Sequence, residues 1–345
     1  MPKLFFLVSG EHEILPFSEL KAILEAEGFQ YKVLERLTQV LRLEGKRESV
    51  RVVASRAALT RVGAEEIFKC EDDKAEIIRK LSQTPLETFI KSGETFVVRM
   101  KRVAGSSPHL STLWLERKIG EIILNKVANV KVNLFNPDKV FFGILTQNQF
   151  IFGLKLAEVK PKPFVQRRPK NKPFFHPSAM PAKLSRCMVN LARPKRNSLF
   201  LDPFCGTGSL LIEAGLIGCR LIGCDIKRLM VKGSRENLRF CGLKPEGLIV
   251  ADARKPPFSY ADCVSTDPPY GRSATTMGST TKEIVRETLN MLLDIIPKGG
   301  HVCMASPKTV QLGTVGREIG YKHLESHFVY VHRSLTREIA VFKRP

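Results

Sequence analysis

The sequence predicts an α/β protein whose C-terminal half is built on an open, mostly parallel sheet, and three observations carry that expectation. Leu199-Phe200-Leu201 runs into Asp202-Pro203-Phe204-Cys205-Gly206-Thr207-Gly208-Ser209 and then Leu210-Leu211-Ile212-Glu213-Ala214, which reads as a strand, a glycine turn and the start of a helix. Two more apolar runs each end in an acid: Leu221-Ile222-Gly223-Cys224-Asp225 and Leu248-Ile249-Val250-Ala251-Asp252. A fourth acid opens Asp267-Pro268-Pro269-Tyr270-Gly271, directly after Ser265-Thr266.

Each observation implies chemistry. A strand, glycine turn and helix start hold a nucleotide-like cofactor against backbone N–H groups, and Gly206 and Gly208 let the chain approach it closely. A dinucleotide is disfavoured, because Leu211 stands where the third glycine of that fingerprint belongs. Phosphoryl transfer lacks its lysine-bearing loop. In an open parallel sheet the acids lie at the strands' carboxyl ends, where ligands bind. Asp225 is then placed to accept ribose hydroxyls, and Asp252 an adenine amine. The Asp267 carboxylate and the Pro268 carbonyl offer two acceptors beside the flat face of Tyr270, which fits a planar amine. Methyl transfer to such a nitrogen follows, and guanine N2, adenine N6, cytosine N4 or a glutamine amide would each serve.

The front half reads differently. Leu4 to Val8 is predicted as a strand, Ser18 to Ala26 as a helix with Leu20, Ile23 and Leu24 on one face and Gly28 beyond its end, and Val50 to Ala54 as another strand. Further helices and strands are expected over 74–81, Phe96 to Met100, 111–127, Val132 to Leu134, 139–146 and 149–156. No nucleophile, metal cluster or glycine loop falls among them, which marks a binding module. Trp114 lies on the apolar stripe of a helix, and the lone His12 and His109 carry no chemistry. After the site, Glu283 to Ile296 is predicted as a helix, Val302 to Ser306 as a strand, and Phe328 to His332 with Ile339 to Phe342 as two strands.

Composition narrows the partner. The 345 residues hold 55 Lys plus Arg against 34 Asp plus Glu, a net charge of +21 that favours a polyanion such as nucleic acid. Residues 158–173 carry Lys160, Lys162, Arg167, Arg168, Lys170 and Lys172 among four prolines, the composition of an extended connector that could line a phosphate groove. Arg99, Lys101 and Arg102 alternate with apolar neighbours along a strand edge and are candidates for phosphate contact. The eight cysteines include no Cys-x-x-Cys pair, so no zinc site or disulfide framework is expected. No segment has the length of a membrane span and Leu4 to Val8 is too short for a signal-peptide core, so a cytoplasmic protein is expected, as a monomer with no metal.

Phe175-His176-Pro177, Asp202 to Gly208 and Asp267-Pro268-Pro269-Tyr270-Gly271-Arg272-Ser273 resemble the archaeal tRNA guanosine-10 N2-methyltransferase family. The resemblance covers essentially the whole chain and implies a Rossmann-like class I methyltransferase fold with a seven-stranded, mostly parallel sheet and S-adenosyl-L-methionine as cofactor. It implies cofactor contacts from His176, Pro177, Asp202, Pro203, Cys205, Gly206, Thr207, Gly208, Asp225, Ile226, Asp252 and Ala253, and catalysis by Asp267, Pro268, Pro269 and Tyr270 on one or two methylations of guanosine 10 in tRNA. The strings Phe96 to Arg102, Glu116-Arg117-Lys118-Ile119-Gly120, Val132 to Asp138 and Phe152-Gly153-Leu154 resemble a THUMP domain, an RNA-binding unit preceded by a ferredoxin-like segment. The expected division is 1–60 ferredoxin-like, 61–157 THUMP, 158–180 basic linker and 181–345 methyltransferase. Guanosine 6 of tRNA remains an alternative target, and a non-catalytic RNA-binding protein is disfavoured by the intact acids at 202, 225, 252 and 267.

Overall fold

The structure is a computed structural model that describes residues 1–270 and 280–345. Gly271, Arg272 and Ser273 therefore lie outside the described residues. The chain forms two compact units, the first of Met1–Glu13, Phe29–Ser55 and Thr60–Val159, the second of Ile14–Gly28, Arg56–Leu59 and Lys160–Pro345.

In the first unit the described residues form an eight-stranded sheet of β1 (Lys3–Val8), β2 (Tyr31–Leu37), β3 (Val40–Gly45), β4 (Thr60–Glu71), β5 (Thr95–Arg102), β6 (Lys131–Val132), β7 (Lys139–Thr146) and β8 (Gln149–Glu158), in the order β2-β3-β1-β4-β8-β7-β5-β6. Only the pairings of β5 with β6 and β7 are parallel. The α1 helix (Leu15–Ala26) belongs to the second unit, while α2 (Glu48–Arg56), α3 (Lys74–Gln83) and α4 (Thr112–Lys126) accompany the sheet's strands in sequence. Phe96, Phe141, Phe150 and Phe152 form the centre of a core closed by Ile77 and Leu81 of α3 and Leu115, Ile119 and Ile123 of α4. Trp114 packs at the edge of that core. The Asn136-Pro137-Asp138 turn is a staple, since Asp138 Oδ2 accepts from Thr95 N at 2.8 Å and Thr95 Oγ1 at 2.7 Å.

Two expectations fail here. Val50 to Ala54 is helix, not strand: Val50 and Val53 are fully buried while Arg51 and Ser55 are exposed, a spacing that outweighs the strand preference of valine. Residues 1–60 do not form a separate subdomain, because β1 is inserted between β3 and β4 in one continuous sheet and α1 lies in the second unit. That helix is buried nearly all round, as a helix embedded in a core should be.

The second unit begins its own sequence with α5 (Lys162–Gln166) and α6 (Ala182–Leu191). Its described strands β9 (Leu199–Asp202), β10 (Arg220–Asp225), β11 (Gly247–Val250), β12 (Cys263–Thr266), β13 (His301–Pro307), β14 (Lys322–His332) and β15 (Leu335–Lys343) form a seven-stranded sheet ordered β11-β10-β9-β12-β13-β15-β14. All neighbours are parallel except those of β15. Helices α7 (Ser209–Leu216), α8 (Arg228–Phe240), α9 (Thr281–Ile295) and α10 (Leu312–Ile319) complete the unit. The Rossmann-like α/β expectation of a seven-stranded, mostly parallel sheet is met, and β15 runs antiparallel to both of its neighbours.

The basic stretch is not an extended connector. Phe164 is buried, and Arg167 lies with its guanidinium 5.0 Å from that ring while Nε donates to Glu213 Oε1 at 2.8 Å. Lys172 is buried with Nζ 3.3 Å from Ser209 Oγ, and burial lowers its pKa. Arg167 and Lys172 thus hold this segment onto the second unit. Lys162, Arg168 and Lys170 remain exposed.

Candidate active site

Four adjacent parallel strands deliver the four acids to one end of the sheet. Asp202 and Asp225 are the last residues of β9 and β10, Asp252 follows β11 and Asp267 follows β12. All four line a single cavity of about 730 Å³, within the range of small-molecule sites. The opposite ends of the strands start with Leu199, Arg220, Gly247 and Cys263 and contribute nothing to it.

The glycine turn is shaped by its neighbours. Gly206 and Gly208 adopt φ of +48° and +79°, the left-handed region that favours glycine, and a Cβ on Gly208 would meet Ser234 Oγ at 2.5 Å. Gly206 N donates to Asp225 Oδ2 at 3.0 Å and Lys227 N to Asp225 Oδ1 at 2.9 Å. A carboxylate offers about four lone-pair sites, so two stay available to a diol. Pro203, Cys205, Gly206, Thr207 and Ile226 line the cavity, whereas Gly208 supports the turn from behind it.

His176 and Pro177 also line the cavity. Their approach is fixed by Asn237, whose amide donates to the Phe174 and Thr207 carbonyls at 2.9 Å each and whose oxygen accepts from Phe174 N at 2.9 Å. Gly233 makes room, because a Cβ there would lie 2.0 Å from the Phe174 ring. His176 Nδ1 is 2.7 Å from Ser178 Oγ.

Asp202 is fully enclosed and takes hydrogen bonds from Thr266 Oγ1 at 2.7 Å and Phe204 N at 3.2 Å. Burial nevertheless pushes its pKa up to about 7, with the nearby Asp267 and Asp225 carboxylates adding to the rise. Burial likewise raises Asp225. Asp252 goes the other way: Arg254 grips it through Nε at 3.0 Å and Nη2 at 2.7 Å and lowers its pKa. An incoming amine would share Asp252 with that guanidinium, while Ala253 is buried beside it at the cavity wall.

The Asp267 corner departs most from expectation. Tyr270 contributes its hydroxyl as well as a ring face, donating to Asp267 Oδ1. Arg337 of β15 places Nη2 3.2 Å from Asp267 Oδ2 and donates from Nε to the Tyr270 hydroxyl at 2.8 Å, with its guanidinium carbon 5.5 Å from the ring centroid. Burial raises the Asp267 pKa, and Arg337 and Tyr270 oppose the rise. Neither Arg337 nor Arg254 was distinguishable in the sequence, where both read as ordinary members of a basic chain.

The strand-edge cations separate as well. Arg99 and Lys101 of β5 are exposed. Arg102 is tied inward, donating to the carbonyls of Ser106, Ser107 and Leu110, and it braces a loop.

Comparison with known proteins places the chain. The family described as RMKL-like, methyltransferase domain, matches residues 169–338. A DNA methylase family matches residues 61–236, a span that contains the glycine turn and stops short of Asp267. A tRNA (guanine(10)-N2)-dimethyltransferase of Methanothermobacter thermautotrophicus is 36% identical over 344 residues, 99% of each chain. The chain belongs to that dimethyltransferase family. A second member of the tRNA (guanine(10)-N2)-dimethyltransferase family, from Methanocaldococcus jannaschii, is 32% identical over 98% of this chain and 99% of its own. The fold is shared with TrmN from Thermus thermophilus, at a TM-score of 0.54 and 18% identity over 99% of this chain and 100% of that one.

Proposed function

We propose that this chain transfers one or two methyl groups from S-adenosyl-L-methionine to N2 of guanosine 10 in tRNA. The supporting observation is the convergence of Asp202, Asp225, Asp252 and Asp267 on one cavity in a chain matched end to end by dimethyltransferases of that specificity. The cofactor supplies a methyl group made electrophilic by a sulfonium. Asp202, Pro203, Cys205, Gly206 and Thr207 surround its methionine part, with Gly208 setting the turn. Asp225 would accept from the ribose, with Ile226 lining the cavity beside it, Asp252 and the Ala253 N–H would read the adenine edge, and His176 and Pro177 would close over the cofactor. The cavity fits such a molecule in volume and in its acceptor-rich lining.

Guanine N2 is a poor nucleophile because its lone pair is delocalised into the ring. Asp267 and the Pro268 carbonyl hold the amine hydrogens so that the lone pair faces the cofactor, Pro269 stiffens that turn, and Tyr270 stacks the base. Positioning of this kind can supply a large part of the acceleration. The proton released from the methylated nitrogen passes to Asp267 or to water. A base in a tRNA stem must leave the stack to arrive here, at a cost of a few kcal/mol.

The first unit acts as the RNA-holding module, a THUMP domain, working in the cytoplasm as a monomer. Arg99 and Lys101, together with Lys162, Arg168 and Lys170 of the second unit, meet phosphates. The test is to incubate the protein with S-adenosyl-L-methionine and an unmodified tRNA transcript, digest the RNA and weigh the nucleosides. N2-methylguanosine or its dimethyl form is expected, lost on changing guanosine 10. A methylated adenosine or cytidine would overturn the assignment.

A further inference from the structure

Arg337 lies on β15 opposite Pro307 of β13 and Val329 of β14, its side chain buried and turned to the cavity wall. Two neighbouring donors of its planar group, Nε and Nη2, face the Tyr270 hydroxyl at 2.8 Å and Asp267 Oδ2 at 3.2 Å. The guanidinium carbon lies 5.5 Å from the Tyr270 ring centroid. Both Asp267 oxygens are thereby engaged, Oδ1 by the tyrosine and Oδ2 by the arginine.

Guanine carries a closely related grouping. Its N1–H, C2 and N2 amine form a guanidine with adjacent donors along one edge of a flat ring. Adenine and cytosine set their amines beside a ring nitrogen that accepts. We infer that Arg337 holds the place of the guanine N1–C2–N2 edge at Asp267, and that the carboxylate it satisfies selects guanine over adenine and cytosine. The inference rests on the methyl-transfer reading of the same cavity.

The guanine edge and the Arg337 edge compete for Asp267 Oδ2, so base entry exchanges one donor for the other there. The exchange has a physical advantage. A buried carboxylate stripped of its partner is strongly destabilising, and here Asp267 passes from one donor edge to another while staying paired. The groups that face Asp267 are Arg337 from β15, Tyr270 from its own segment and Asp202 from the end of β9. Arg337 is the cation among them and favours the ionised form, which is the form that accepts two hydrogens. It is a specificity and positioning residue, acting through Asp267 and Tyr270.

The experiment compares tRNA substrates carrying guanosine or 2-aminopurine riboside at the methylated position. 2-Aminopurine keeps the N2 amine and replaces the N1–H donor with an acceptor. The expected kcat/KM falls by about 100-fold or more, as when a site built for a donor meets an analogue without it. Equal rates on the two substrates would overturn the inference while leaving methyl transfer intact. An unmethylated guanosine substrate would instead remove the underlying reading. A second measurement uses Arg337→Gln and Arg337→Lys. The Gln variant should move the acid limb of kcat/KM to higher pH and the Lys variant should restore it. A loss that is uniform across pH in both would mean a structural role only and would sink the exchange.

Discussion

Glu19 of α1 accepts a 2.9 Å hydrogen bond from the Asn190 side-chain amide of α6, across 171 residues of sequence, and both side chains are fully buried. The same carboxylate accepts from Ala58 N at 2.9 Å and Leu59 N at 2.8 Å, while Asn190 also donates to the Arg56 carbonyl at 3.1 Å. Two short pieces of the N-terminal sequence are therefore structural parts of the catalytic unit. Glu19→Ala should destabilise the protein by about 3 kcal/mol or more, since three buried donors lose their acceptor. Urea denaturation followed by fluorescence checks this, and a change below 1 kcal/mol would show that the network relaxes.

A chain truncated to 158–345 should fail as a stable cofactor-binding domain, because it lacks α1 and residues 56–59. Adding back Ile14–Gly28 as a separate peptide should raise its melting temperature. Full stability and cofactor binding by the truncated chain, measured by calorimetry, would contradict the unit boundaries.

Asp202 predicts a proton linkage. Its folded pKa of about 7 lies above its ordinary value near 3.8, so the unfolded chain gives up the proton first. Stability should thus fall as pH rises through that interval and level off above it, relative to Asp202→Asn. A cationic cofactor beside Asp202 should pull the pKa down and release a proton on binding near pH 7. Calorimetry in two buffers of different ionisation enthalpy measures that proton, and its persistence in Asp202→Asn would assign it elsewhere.

At the acid proposed to hold the ribose diol, Asp225→Ala should weaken cofactor binding by about 10- to 100-fold, the loss of one or two charge-assisted hydrogen bonds. Fluorescence titration with S-adenosylhomocysteine reads the effect, and tRNA affinity should be unchanged. Parallel loss of both affinities would indicate collapse of the glycine turn, which Asp225 also braces through Gly206 N.

The basic segment should split into two classes. Alanine at Lys162, Arg168 and Lys170 together should weaken tRNA binding and lower the slope of log K against log salt by about 2 to 3. Alanine at Arg167 should instead cost about 1–3 kcal/mol of stability through Glu213. Filter binding across a salt series, paired with thermal denaturation, separates the two.

The sequence by itself determined the α/β fold of the second unit and most of the residues that line its candidate cavity, because those signals are local. A strand, a glycine turn and a helix start are contiguous in 199–214, acids ending apolar runs fall at strand ends by chain order, and Asp-Pro-Pro-Tyr is one short string. Tertiary structure alone decided which charges face solvent. Arg99 and Arg102 are alike in sequence, yet one is exposed and the other ties down three carbonyls. Arg337 reaches Asp267 only because β15 folds back antiparallel between β13 and β14, bringing residues 70 positions apart to 3.2 Å. The same holds for Val50 to Ala54, where burial of Val50 and Val53 against the fold selects helix over the local β preference. Hydrogen bonds and ion pairs between distant segments leave no periodic trace in the chain, so composition and pattern could name the chemistry but not the residues that hold it in place.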